Sequence, residues 1–174
     1  YGGKSKEHLK FLKDEVIPFI EKNYRANSHR TIIGMSPTFG PVLEAFWNDP
    51  KLFKGYIVLA SELAQYTNNG NHSENSLYIG KASRDLLNRP EEETHAYTNL
   101  NKALKKLNLH NFKYKIEVLE EEDHYGMSVP GIQHGLETIY PKDVWNIPYK
   151  KFRNSENPVK TLKQYFNRLS KQYG

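Results

Sequence analysis

The chain has no cysteine among its 174 residues. Disulfides, thiolate metal sites and a cysteine nucleophile are therefore excluded, while the compartment stays open. No apolar run approaches the roughly 20 residues that a membrane-spanning helix needs. Internal repeats and low-complexity stretches are also missing. The opening, Tyr1-Gly2-Gly3-Lys4, does not read as a signal peptide and looks like the interior of a longer sequence. What is present is the profile of a folded domain: 37% hydrophobic, 13% aromatic and 26% charged residues, enough for one real core and scarcely for two. Acidic residues are scarce after Pro141, where Asp143 and Glu156 face eight lysines and arginines, and the net charge is +5. Without aromatic-basic interleaving this tail reads as a solvated helix surface, so no nucleic-acid partner is expected.

Apolar periodicity gives the order of elements. Ser5 to Asn23 predicts an amphipathic helix with Leu9, Leu12, Val16, Phe19 and Ile20 on one face, Ser5 as its cap and Pro18 bending its last turn. Thr31 to Gly34 predicts a short buried parallel strand, followed by a helix from Pro37 to Asn48 with Val42, Leu43 and Phe46 inward and Trp47 beside them. Gly55 to Ala60 and Ser76 to Gly80 predict two further strands, separated by a polar surface loop from Thr67 to Ser76. A polar turn from Lys81 to Asp85, a helix from Glu91 to Leu107 and a strand from Phe112 to Leu119 come next. A loop from Glu120 to Pro130 then leads to a short helix from Ile132 to Tyr140. Strands alternating with helices mean a mostly parallel sheet covered on both faces. Trp145 to Asn157 reads as an irregular linker, and Pro158 to Tyr173 as a basic amphipathic helix with Leu162, Phe166 and Leu169 on one side.

The chemistry-bearing stretch is Arg30 to Gly40, in which an apolar strand runs into Gly34-Met35-Ser36 and a helix opening with Pro37. That is the layout of a nucleophile elbow, a sharp strand-to-helix turn that lifts a serine hydroxyl above a sheet. Working residues in an open parallel sheet gather at the carboxyl ends of its strands. Ser36, Asp85 and His124 all meet that condition, in the serine, acid, histidine order of α/β-hydrolases. Each is required, because a hydroxyl needs a base to take its proton and an imidazole needs a carboxylate to hold its tautomer. Singly, Ser36 reads as a turn serine, Asp85 as a loop cap and His124 as a surface histidine in the acidic run Glu120 to Asp123. His134 lies ten residues past His124, but no third ligand stands at metal-site spacing, so no metal is expected, and a serine, histidine and acid acting together call for no organic cofactor.

Several segments together resemble one family. They are Phe11 to Ile20 with Tyr24 and Arg25, Arg30 to Ser36, Asp49 to Ile57, Leu77-Tyr78-Ile79-Gly80 leading to Asp85, and Asp123 to Pro130 with Gly135-Leu136. The resemblance is to the second half of the esterase family of α/β-hydrolases that includes esterase D, enterobactin-type siderophore esterases and feruloyl esterases. It implies a partial α/β-hydrolase fold over residues 1–141 and a linker with a basic helical appendage over 142–174. It also implies a small-molecule ester as substrate, cleaved through an acyl-enzyme with Ser36 as nucleophile, His124 as general base and Asp85 as orienting carboxylate. The family's upstream half, with its first strands and second oxyanion donor, has no counterpart here, so the nucleophile strand is expected to lie at an open edge of the sheet.

Two departures qualify that expectation. The family's Gly-His-Ser-x-Gly-Gly is here Gly34-Met35-Ser36-Pro37-Thr38-Phe39, and its Ser-Pro-Ser segment is here Ala60-Ser61-Glu62. In the family one oxyanion donor is the backbone N–H of the residue after the nucleophile, and proline has none. The alternative is therefore a catalytically impaired hydrolase-fold protein that binds or scaffolds.

Overall fold

The computed structural model describes residues 4–61, 72, 74–86, 90–106, 111–147 and 149–173. Four strands, β1 (Thr31–Met35), β2 (Gly55–Leu59), β3 (Ser76–Ala82) and β4 (Lys113–Leu119), form a sheet in that order, and every pairing is parallel. The helices are α1 (Ser5–Phe11), α2 (Ile17–Asn23), α3 (Phe39–Asn48), α4 (Ser83–Leu86), α5 (Pro90–Lys106), α6 (Ser128–Ile139), α7 (Lys142–Trp145), α8 (Tyr149–Arg153) and α9 (Pro158–Tyr173).

Strand alternation divides the core in two. Tyr56, Val58, Leu77 and Ile79 face α1, α3 and α5, where they meet Leu9, Val42, Leu43, Phe46, Trp47, Leu100 and Leu104. Ile57, Leu59, Tyr78 and Ala82 point the other way and pack with Leu119, Met127 and Ile139. All five residues of β2 are buried, which is why that strand reads as an unbroken apolar run rather than an alternating one. α6 lies close on the sheet because Gly131 and Gly135 leave room: a Cβ there would come within 2.8 Å of Leu59 and 2.7 Å of Ile57.

Several expectations are corrected. The N-terminal helix is interrupted by a π-helical turn at Leu12–Val16, immediately ahead of Pro18. A proline ring collides with the carbonyl four residues back in a regular helix, and the wider turn relieves this. The extra residue also shifts the helix phase, so Ile17 packs on the core while Phe19 is 58% exposed and Ile20 lies outside. Ser5 makes no capping bond; it is buried against Gly40. β1 lies at the open edge of the sheet, as the missing upstream strands implied, so Ile33 is 42% exposed and the buried setting suggested by the strand's apolar run is not met. β3 continues through Lys81 and Ala82, so Asp85 sits in a helical turn and not in the polar turn expected. α6 begins four residues before the expected start at Ile132.

The expected surface loop from Thr67 to Ser76 lies largely outside the described residues. Within it His72 is fully buried, stacked on Phe46 with ring centroids 4.2 Å apart, and Asn75 is buried too, donating to the carbonyls of Pro50 and Phe53. The expected linker begins on the last residue of α7 and contains α8. On α9 it is Tyr165, edge-on to Phe152, that turns inward, while Phe166 is exposed. The last turn of α9 returns to the sheet's amino end, where Tyr173 contacts His29 and Tyr140. No helix among the described residues is long and apolar enough to cross a membrane.

Two measurements check this account. Gly34 is where β1 touches the following helix: a Cβ there would lie 2.4 Å from the Thr38 carbonyl oxygen and 2.6 Å from Val42. Gly34→Ala is expected to lower stability by about 1–3 kcal/mol in urea denaturation, whereas a wild-type midpoint would contradict the close approach. Burial holds the pKa of His72 and of His29 below the ordinary value of 6.5. The unfolded chain then takes up those protons first, so their stabilisation is complete above pH ~6.5 and is lost as pH falls toward the folded-state values. The urea midpoint is expected to drop between about pH 7 and 5.5, with a smaller drop in His72→Phe.

Candidate active site

Parallel pairing puts Met35 opposite Leu59, Leu59 opposite Gly80, and Gly80 opposite Glu117. The residues that leave β1, β3 and β4 at their carboxyl ends therefore emerge along one edge.

At β1 the chain turns sharply. Ser36 has φ of 52°, a left-handed conformation uncommon for a residue with a side chain and costing on the order of 1–3 kcal/mol. A 3-10 turn, Ser36–Thr38, leads from it into α3. Thr38 fastens the turn: its hydroxyl accepts the Met35 N–H at 2.8 Å and donates to the Met35 carbonyl at 2.7 Å. Ser36 itself is half-buried, and Pro37 and Thr38 are exposed.

Beyond β3, Asp85 Oδ2 lies 3.0 Å from His124 Nδ1. Their side chains are 16% and 34% exposed, so the pair is partly shielded from solvent. The two segments are stitched through their backbones as well. Arg84 N–H donates to the Glu122 carbonyl at 3.1 Å, and Glu121 N–H donates to Ser83 Oγ at 2.9 Å. Within the histidine turn, Asp123 accepts from the N–H groups of Gly126 and Tyr125, and these bonds hold its carboxyl below the usual carboxylate range. Met127 is fully buried beneath the turn.

With Nδ1 on the carboxylate, Nε2 is the ring nitrogen left to take a proton. The structure thus joins Asp85 to His124. Among the described residues no hydrogen bond joins Ser36 to His124. His134, the other histidine considered, bonds Glu117 at 3.0 Å, in a separate group with Tyr78 and Lys115 that ties α6 to β4. No group of three His, Cys, Asp or Glu side chains suited to a metal occurs among the described residues.

The main chain after Ser36 is poor in donors. Pro37 has no N–H, the Thr38 N–H is taken by the Met35 side chain, and the Phe39 N–H by the Ser36 carbonyl. A groove of about 460 Å³ runs beside the elbow along the open edge of β1, lined by Lys4, His8, Ile33, Pro37 and Pro41 among others; Ser36, Asp85 and His124 do not line it.

Two features of the edge escape a reading of the sequence. Lys81, taken for a turn residue, is buried in β3 with its Nζ 3.9 Å from Asp85 Oδ2. Ser61, just past β2, is fully buried, and its carbonyl accepts from the Tyr97 hydroxyl of α5 at 3.1 Å. Only a strand register long enough to include Lys81 signals the first, and nothing local signals the second.

No family model matches the chain, and no curated protein matches it significantly. Solved structures do. An IroE-like serine hydrolase from Shewanella oneidensis superposes with a TM-score of 0.73 at 20% identity, over 99% of this chain and 56% of that one. The BES protein from Bacillus cereus gives 0.62 at 20% identity, over 79% and 55%. The siderophore hydrolase EstB from Aspergillus nidulans gives 0.58 at 18% identity, over 84% and 60%. The chain spans little more than half the length of these proteins. At this level of identity the likeness is one of fold, and the fold is the one the resemblance implied: part of an α/β-hydrolase, with a parallel sheet between two layers of helices.

Proposed function

We propose that this chain is the part of a serine hydrolase that cleaves a carboxylic ester of a small molecule through an acyl-enzyme. The observation that carries the reading is a left-handed Ser36 at the end of β1 on the same sheet edge as the hydrogen-bonded Asp85–His124 pair. In this reading Ser36 Oγ attacks the ester carbonyl while His124 Nε2 takes its proton. The imidazolium then protonates the departing alcohol, and a water activated by the same nitrogen hydrolyses the acyl-Ser36 ester. Asp85 keeps Nδ1 protonated and stabilises the imidazolium between the two transfers. No metal or organic cofactor enters these steps. The serine and siderophore hydrolases that share the fold support hydrolysis as the reaction class. Residues 1–141 would form the later half of the hydrolase domain, with 142–174 as an extension.

A second reading rests on a different observation, the want of a backbone donor after Ser36. Loss of one oxyanion donor costs about 2.7–4 kcal/mol, on the order of 10²–10³ in rate. A protein so handicapped serves as a binding or scaffolding module that keeps the fold and has lost turnover.

Labelling with a fluorophosphonate probe tests the first reading: the label is expected on Ser36, and is expected to be lost in Ser36→Ala and strongly slowed in His124→Ala. A protein that stays unlabelled at high probe concentration contradicts it. Pro37→Gly separates the two. Hydrolysis of an activated ester is expected to rise by up to about 10²–10³-fold when the N–H is restored. Robust hydrolysis that does not rise removes the oxyanion argument, and activity that appears only in Pro37→Gly favours the binding module.

A further inference from the structure

Lys81 is 5% exposed, and a lysine buried to this degree needs an anion near its ammonium. It follows Leu77 and Ile79 at every second position of β3, so its aliphatic stem continues the face that packs on α3 and α5. One of its contacts is the Asp85 carboxylate, at 3.9 Å from Nζ to Oδ2. That oxygen is also the one that His124 Nδ1 meets at 3.0 Å.

The two partners of Oδ2 are held very differently. His124 stands in a turn, whereas Lys81 rises from β3, where it pairs with Val118 of β4 one residue past the last pairing with β2. Asp85 belongs to the four-residue helix α4, too short to fix a side chain by its own helical hydrogen bonding. Among the described residues the charged groups near the pair are Asp85, Lys81 against Asp85, Asp123 beside the ring with Arg84 near it, and Glu120, Glu121 and Glu122 just ahead in the same turn. Of the cations among them, Lys81 shares the oxygen that orients the ring.

We propose that Lys81 is a positioning residue for the Asp85–His124 pair, its ammonium holding the Asp85 carboxylate so that Oδ2 faces His124 Nδ1. The proposal rests on the reading of that pair as the base of a serine hydrolase, and it places Lys81 in contact with neither Ser36 nor the ester. A cation fixed in the sheet limits the rotamers open to Asp85, and through Asp85 it limits the ring orientations open to His124. Displacement of a reacting group by about 1 Å costs up to ~10²-fold in rate.

The test compares wild type, Lys81→Met and Lys81→Arg by two readouts: the low-field proton resonance of His124 Nδ1–H at low temperature, and kcat and KM for an activated ester. In Lys81→Met the resonance is expected to disappear and kcat to fall by up to ~10²-fold with KM unchanged; Lys81→Arg, which keeps the charge, is expected to restore both in large part. A resonance retained at its wild-type position in Lys81→Met overturns the proposal. So does a Lys81→Arg variant as impaired as Lys81→Met, which would mark a packing role only. If Lys81→Met does not fold, Asp85→Asn supplies the reverse reading. The Lys81 ammonium resonance is expected to move in that variant, and an unmoved resonance overturns the proposal. The resonances do not depend on turnover, so a protein that hydrolyses no ester but loses the signal in Lys81→Met would sink the esterase reading and keep the contact.

Discussion

Four strands running in one direction share one edge for all their carboxyl ends, and this parallel pairing is the constraint from which the site follows. Register carries it from Met35 across Leu59 and Gly80 to Glu117, so the turns that leave β1, β3 and β4 are brought side by side. A parallel sheet must be covered on both faces, because its crossovers are helices and its strands are apolar throughout. Here α1, α3 and α5 cover one face and α6 the other. The edge is what the covering layers leave for polar chemistry. Asp85 and His124 meet there although 39 residues separate them in sequence.

The elbow shows how the same geometry is held by unusual means. Ser36 adopts a conformation that its side chain disfavours, and the close contact of Gly34 with Thr38 and Val42 leaves the strand and helix no looser approach. Thr38 and Met35 then lock the turn by mutual side-chain and backbone bonds. Just after Ser36 the main chain has little to offer an anion: Pro37 has no N–H, and the Thr38 N–H meets the Met35 thioether, a weak acceptor. The fold therefore holds Ser36 in a fixed turn and Asp85 against His124; in the proposed reaction, charge developing on a substrate oxygen would be met by donors other than the main chain of Pro37.

Much of this was legible in the residues. Continuous apolar runs marked β1, β2 and β3 and alternation marked β4, Gly34-Met35-Ser36-Pro37 marked the sharp strand-to-helix turn, and the predicted strand ends put Ser36, Asp85 and His124 along one edge. The misreadings have local causes. Periodicity assumes one helix phase, and the π-helical turn ahead of Pro18 changes it, which exchanged Ile20 for Ile17 on the inner face. Polarity was taken to mean exposure, which put Lys81 in a turn and His72 on the surface. Both are buried because a neighbour compensates them, a carboxylate for the lysine and the Phe46 ring and Asn75 for the histidine. The edge position of β1 came from the resemblance and not from the strand's own apolar run, because a strand's sequence does not record its neighbours.

The central claim is convergence: the hydroxyl of Ser36 and the free nitrogen of a carboxylate-held His124 working on one reacting centre. A crystal structure of the protein after reaction with a phosphonate ester tests it most directly. The account predicts phosphorus bonded to Ser36 Oγ, His124 Nε2 within hydrogen-bond reach of that oxygen or of the phosphonate, and Nδ1 still on Asp85. A phosphonate on another residue, or an adduct at Ser36 with the His124 ring turned away from it, would contradict the account.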